Sequence, residues 1–113
     1  MDLITLDQAK DQVSVYDDEE NTRIEGLIYA AIGRVEQAIH RDIYQEAADV
    51  PSTAIDPVII STLKQTHKAA LSQACLLALS SLHSTREADI EQELKNNPAF
   101  NELLSGFKRV PIG

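Results

Sequence analysis

Tryptophan is missing from this sequence, and aromatic residues of all kinds make up 4% of it, two Phe and three Tyr. A core with so few large rings has to be assembled from Ala, Leu and Ile, which suits helices packed at close range. A single cysteine, Cys75, excludes an internal disulfide and any Cys/His spacing of a zinc site. That is the usage expected in a reducing compartment. Positive charge is scarce too: 10 Lys and Arg stand against 18 Asp and Glu, a formal net charge of −8. This balance argues against a protein that grips nucleic acid through its phosphates, which needs concentrated basic residues. It is compatible with a surface that DNA slides past, and equally with acidity for solubility alone. No long hydrophobic run occurs. The least charged stretch, residues 69–85, is interrupted by Ser72, Gln73, Ser80, Ser81 and His83 and is too short and polar to span a bilayer. The start, Met1-Asp2-Leu3, lacks the basic-then-apolar pattern of a secretion signal, so a soluble intracellular product is expected.

What is present reads as one helical domain over the 113 residues. Thr5 can N-cap a short helix from Leu6 to about Val13, with Gln8 placed for the reciprocal capping box. A second helix, capped by Asp17 or Asp18, carries Ile24, Leu27, Ile28, Ala31, Ile32, Val35 and Ile39 at three- and four-residue steps. Running to about Arg41, it is expected to be roughly 34 Å long. Its opposite face groups Gly26, Tyr29, Ala30, Gly33 and Gln37, small and uncharged where a solvated face normally carries Lys and Glu. Each mid-helix glycine costs about 1 kcal/mol relative to Ala. Either another backbone packs closely there or glycine is merely tolerated, and the sequence leaves both readings open.

From Asp42 to Pro57 the periodicity disappears, and only Ile43-Tyr44 suggests a short extended piece. A third helix is expected from about Ile60 to Ser84. Leu63, Ala70, Ala74, Leu77 and Ala78 form its main stripe, Leu71 and Leu82 lie at the edge, and Cys75, Leu76 and Leu79 extend the apolar surface around it. Such a helix is buried on all sides, centrally in the monomer or partly against a partner. After a polar run, Arg86 to Glu93, Asn97-Pro98 restarts a helix as N-cap and first position. Phe100, Leu103, Leu104 and Phe107 pack it back and Gly106 ends it. The expected fold is therefore all-α: a small bundle of two long helices plus short N- and C-terminal helices, with a long irregular link between the long pair. Residues 110–113 are expected to form a flexible tail.

Little of this sequence carries chemistry. His40, His67 and His83 have no helical i, i+4 spacing and read as surface or helix-end residues. Cys75 sits in an apolar helix, where a thiol behaves as a small hydrophobe. No nucleophile–base arrangement or phosphate loop can be assembled, so no catalytic, cofactor or metal residue is assigned. The one enzymatic reading is a magnesium-dependent nucleotide pyrophosphohydrolase, using Glu87 with Glu91, Asp89 with Glu93, and the Asp17–Glu20 cluster. Four-residue acidic spacing is common on solvated helices, and no basic and aromatic set stands by to hold a nucleotide.

Three blocks of the chain, taken in order, resemble the small head–tail connector, or adaptor, proteins of long-tailed double-stranded-DNA bacteriophages and prophages. The first is Ile4-Thr5-Leu6-Asp7-Gln8-Ala9-Lys10, then Val13-Ser14-Val15 and Asp17-Asp18-Glu19-Glu20. The second is Ile24 to Arg41, with Leu27-Ile28, Ala30-Ala31, Val35-Glu36 and His40-Arg41. The third includes Ala74 to Leu79, Leu82-His83-Ser84-Thr85-Arg86-Glu87, and Leu103-Leu104 before Phe107-Lys108-Arg109. Ser105-Gly106 departs from the proline that commonly precedes the aromatic–basic ending, and the 42–57 link is particular to this chain.

The resemblance implies a non-enzymatic structural protein of the virion neck, assembled in the bacterial host cytoplasm and needing neither cofactor nor membrane. Its implied partners are further copies of itself in a ring, the portal protein, and a downstream neck or tail-completion protein. DNA passes through without specific binding. A ring needs two different complementary patches on each protomer. The Gly26, Tyr29, Ala30, Gly33 and Gln37 face is one candidate, and Leu76 and Leu79 on the third helix are its counterpart. Lys108 and Arg109 are candidates to meet an acidic surface such as Asp17–Glu20. The alternative is an acidic helical interaction or inhibitor protein acting on a DNA-binding partner.

Overall fold

The computed structural model describes residues 3–84 and 92–107. Helix α1 spans Leu6–Val13, and the capping box is formed as expected: Gln8 N–H donates to Thr5 Oγ1 at 3.1 Å and Thr5 N–H donates to Gln8 Oε1 at 2.9 Å. A 3₁₀ turn at Asp18–Glu20, with Glu19 N–H donating to Asp17 Oδ1 at 3.0 Å, leads into α2, Asn21–Ile39. The buried stripe of α2 is Ile24, Ile28, Ala31, Ile32, Val35 and Ile39, with Leu27 partly covered, in agreement with the periodicity.

Helix α2 stops two residues before the expected end. His40 turns into the left-handed region (φ 56°), and Arg41 leaves the axis. The 19 helical residues give a length of about 28 Å rather than 34 Å. The turn is imposed from outside the helix: Ile43-Tyr44 forms strand β1, paired in parallel with β2, Val58-Ile59, in the register Ile43↔Val58 and Tyr44↔Ile59. The link is therefore irregular only between its two ends, with a 3₁₀ turn at Ala47–Asp49.

Arg41 holds this link shut. Its Nε donates to the Asp56 carbonyl at 2.8 Å, one terminal nitrogen to the Phe107 carbonyl at 3.1 Å and the other to the Pro57 carbonyl at 3.3 Å. One planar fork thereby joins the end of α2, the start of β2 and the C-terminal part of the described chain.

Helix α3 spans Gln65–Ser84, starting later than expected because Ile60–Thr62 forms a separate 3₁₀ turn and Leu63 is extended. Ile60 is buried there, closing the core behind β2. Residues 92–95 are helical (α4), and α5 is Pro98–Leu104, N-capped by Asn97, whose Oδ1 accepts from Phe100 N–H at 3.1 Å. Gly106 does not end α5 by a left-handed cap: Ser105 caps in a right-handed conformation, and no glycine has positive φ among the described residues.

Helix α3 is central, packing on α1, α2 and α5. Its fully buried positions are Leu71, Ala74, Cys75, Ala78 and Leu79, while Leu63, Ala70, Leu76, Leu77 and Leu82 are partly covered. The expected stripe is thus turned around the helix, because three neighbours rather than one decide which side is covered. Phe100 and Leu104 of α5, with Phe107 just after it, close the core on one side, and Leu3 and Ile4, just ahead of α1, are buried in it too. The architecture is the expected all-α bundle, with a two-stranded clasp added at one end.

Candidate subunit interface

Two features of α2 stand out once the core is accounted for. Along its open side Gly26, Tyr29, Ala30 and Gln37 are exposed and Gly33 is half-exposed. Tyr29 is 65% exposed, a large side chain left without cover. A Cβ placed on Gly26 or Gly33 would meet nothing within 4 Å. Among the described residues no other backbone approaches these glycines, which leaves room above them for close packing by another molecule. The expected counterpart on α3 divides. Leu76 is half-exposed, whereas Leu79 is fully buried within the protomer and is withdrawn as an interface residue. Leu79 belongs to the core that α3 forms with the helices packed around it, leaving no surface to share. Lys108 and Arg109 lie outside the described residues.

The charged groups sort into bound and open ones. Lys10 is buried, its Nζ donating to Asn21 Oδ1 at 2.8 Å and to Asp18 Oδ1 at 3.2 Å, and so ties α1 to the start of α2. Asp18 is 93% exposed, so solvent screens that ion pair and the Asn21 bond is the more secure of the two. Glu20 pairs with Arg23 at 2.8 Å. Glu36, beneath the clasp, accepts from Ile43 N–H at 2.8 Å. Burial pushes its pKa above the ordinary value, with Asp42 adding to the shift and the Ile43 hydrogen bond opposing it. Burial, with a further contribution from Glu36, pushes the Cys75 thiol up to about 12, which removes it as a nucleophile at neutral pH.

A cavity of about 310 Å³ opens between the C-terminal end of α2 and the α4–α5 region. Ala38, Leu94 and Phe100 give it an apolar floor, and Arg34, His40 and Lys95 surround them. Sequence reading missed this grouping, because Arg34 and Lys95 are 61 positions apart in the numbering and only the packing of α4 and α5 beside α2 brings them together. The histidines occupy the kinds of places expected: His40 caps α2, His83 lies in the last turn of α3, and His67 sits edge-on to Phe107 with ring centroids 6.2 Å apart. Among the described residues no three His, Cys, Asp or Glu side chains gather as metal ligands. Asp17–Glu20 is an exposed turn, and Glu87, Asp89 and Glu91 lie outside the described residues. No helix among the described residues is long and apolar enough to cross a membrane.

Compared with protein-family models, curated proteins and solved structures, the chain finds no match in any of the three.

Proposed function

We propose that this protein is a structural component of a bacteriophage neck, a head–tail connector whose copies form a ring between the portal and the next neck or tail protein. The observation that carries the reading is the open face of α2. An acidic, well-charged protein leaves one long helix with an uncharged surface of two glycines, an alanine and an exposed tyrosine. In a free monomer those glycines destabilise the helix, and nothing among the described residues fills the space above them. A second subunit seated there gives them a use, since glycine permits close approach of another backbone. Net negative charge suits a wall along which DNA must slide.

The test is the mass of the purified protein over a concentration series, by light scattering after gel filtration, alone and with portal protein. A discrete assembly many times the 12.5 kDa protomer supports the ring. A chain that stays monomeric and also fails to bind portal removes the reading, leaving the acidic inhibitor of a DNA-binding partner as the alternative. Gly26→Leu or Gly33→Leu is expected to block assembly while the monomer stays helical.

A further inference from the structure

The acidic turn before α2 and the basic cavity at its far end are complementary, and they lie too far apart to meet within one protomer. Tyr16 is 70% exposed and is followed by Asp17, Asp18, Glu19 and Glu20. It is the most exposed of the large hydrophobic side chains among the described residues, and no ring contact holds it there. At the other end of α2, the cavity pairs an apolar floor of Ala38, Leu94 and Phe100 with Arg34, His40 and Lys95. No carboxylate is among its described lining residues, although the chain as a whole carries a net charge of −8. Neither Arg34 nor Lys95 takes part in an ion pair among the described residues. The length of α2 separates turn and cavity by about 28 Å.

We propose that the cavity receives the Tyr16–Glu20 turn of a second copy, the tyrosine ring entering against Phe100 and the carboxylates meeting Arg34 and Lys95. This rests on the neck reading above and names its subunit contact. Donor turn and acceptor cavity are different surfaces, so copies joined head-to-tail through them leave one of each unfilled at the ends of a pair, as a closing ring requires. Gln37 lines the cavity and belongs to the open face of α2, so the two surfaces are continuous. Asp18 and Glu20 pair with Lys10 and Arg23 and Asp17 caps the turn by accepting from Glu19 N–H, which keeps the turn in place and leaves Glu19 the freest carboxylate. Attraction of this kind weakens with salt, since the pairing groups are partly exposed and the screening length falls from about 30 Å at 0.01 M to 3 Å at 1 M.

Two variants of the full chain test it. Tyr16→Ala with Glu19→Lys spoils the turn and keeps the cavity; Arg34→Glu with Lys95→Glu spoils the cavity and keeps the turn. Circular dichroism checks that each folds. Each alone is expected to stay monomeric, and an equimolar mixture is expected to stop at heterodimers, because only one productive contact can form. Titrating a peptide of residues 13–22 into isotope-labelled wild-type protein gives a second readout. Amide shifts are expected around Lys95 and Asn101, with binding at least about tenfold weaker to the Arg34→Glu/Lys95→Glu variant. Shifts there from inorganic phosphate with none from the peptide would make this a free-anion site and overturn the proposal. Rings formed by the Arg34→Glu/Lys95→Glu variant would overturn it too, while leaving the neck reading intact. Self-association lost in both variants, in a chain that never binds portal, would do the reverse, removing the neck reading and leaving the contact standing.

Discussion

Replacing Gly26 and Gly33 with alanine isolates the energetic consequence of the open face. Both lie inside α2, well away from its ends, and neither has a positive φ that an alanine would have to adopt. Nothing within 4 Å of either Cβ position can clash. Only the backbone term then remains, about 0.8–1 kcal/mol per site in favour of alanine. The sites are seven residues apart, roughly 10 Å along the axis, so their effects are expected to add to about 2 kcal/mol. For a domain of this size, each 1 kcal/mol corresponds to about 4 °C in Tm, giving a rise of about 8 °C for the double variant. Thermal unfolding followed by circular dichroism, at a concentration where the wild type is monomeric, reads it directly. Unchanged or lowered Tm would refute the reasoning, because it would mean that something in the protomer already packs on these glycines. The same double variant in an assembly assay is informative by contrast: a gain in monomer stability with a loss of assembly separates the cost of glycine in the helix from its use at an interface.

Arg41→Ala is expected to cost about 2–3 kcal/mol in urea unfolding, since three carbonyls lose a charged donor at once, and Arg41→Lys should recover little because an ammonium cannot reproduce the fork. Full recovery by lysine would show that charge alone matters at this position. The raised Glu36 pKa means the folded state holds that proton more tightly than the unfolded chain, so its contribution to stability is fully present below the ordinary value of 4.5 and lost as pH rises through the folded-state value. Glu36→Gln, which still offers Ile43 an acceptor, is expected to abolish that part of the pH dependence. A variant less stable than wild type at neutral pH would show that the Ile43 bond to a charged acceptor outweighs desolvation. Cys75, buried and with its thiol pushed up to about 12, is expected to react with a disulfide reagent at neutral pH only as fast as the protein opens. Rapid stoichiometric labelling of the native protein would contradict its placement in the core.

Local signals were sufficient where the partner groups are close in sequence. The Thr5–Gln8 capping box, the Asn97-Pro98 restart and the 3.6-residue stripe of α2 each depend on residues within a turn or two of one another, and each is formed as the pattern implies. The open face of α2 was legible for the same reason, as the remainder of a clear stripe. Long-range contacts settled the other features. The end of α2 at Ile39 depends on β2 arriving to pair with Ile43 and on Arg41 reaching Pro57 and Phe107. Helix α3 is apolar around much of its circumference, so its periodicity carries no direction. Only the placement of α1, α2 and α5 buries Leu79 and leaves Leu76 half-exposed. The Arg34, His40 and Lys95 cavity likewise exists only after α4 and α5 fold back against α2. Composition and helical period specify helices and their inward faces, because those are properties of neighbours along the chain. Which surfaces remain for a partner is decided by what the rest of the chain covers.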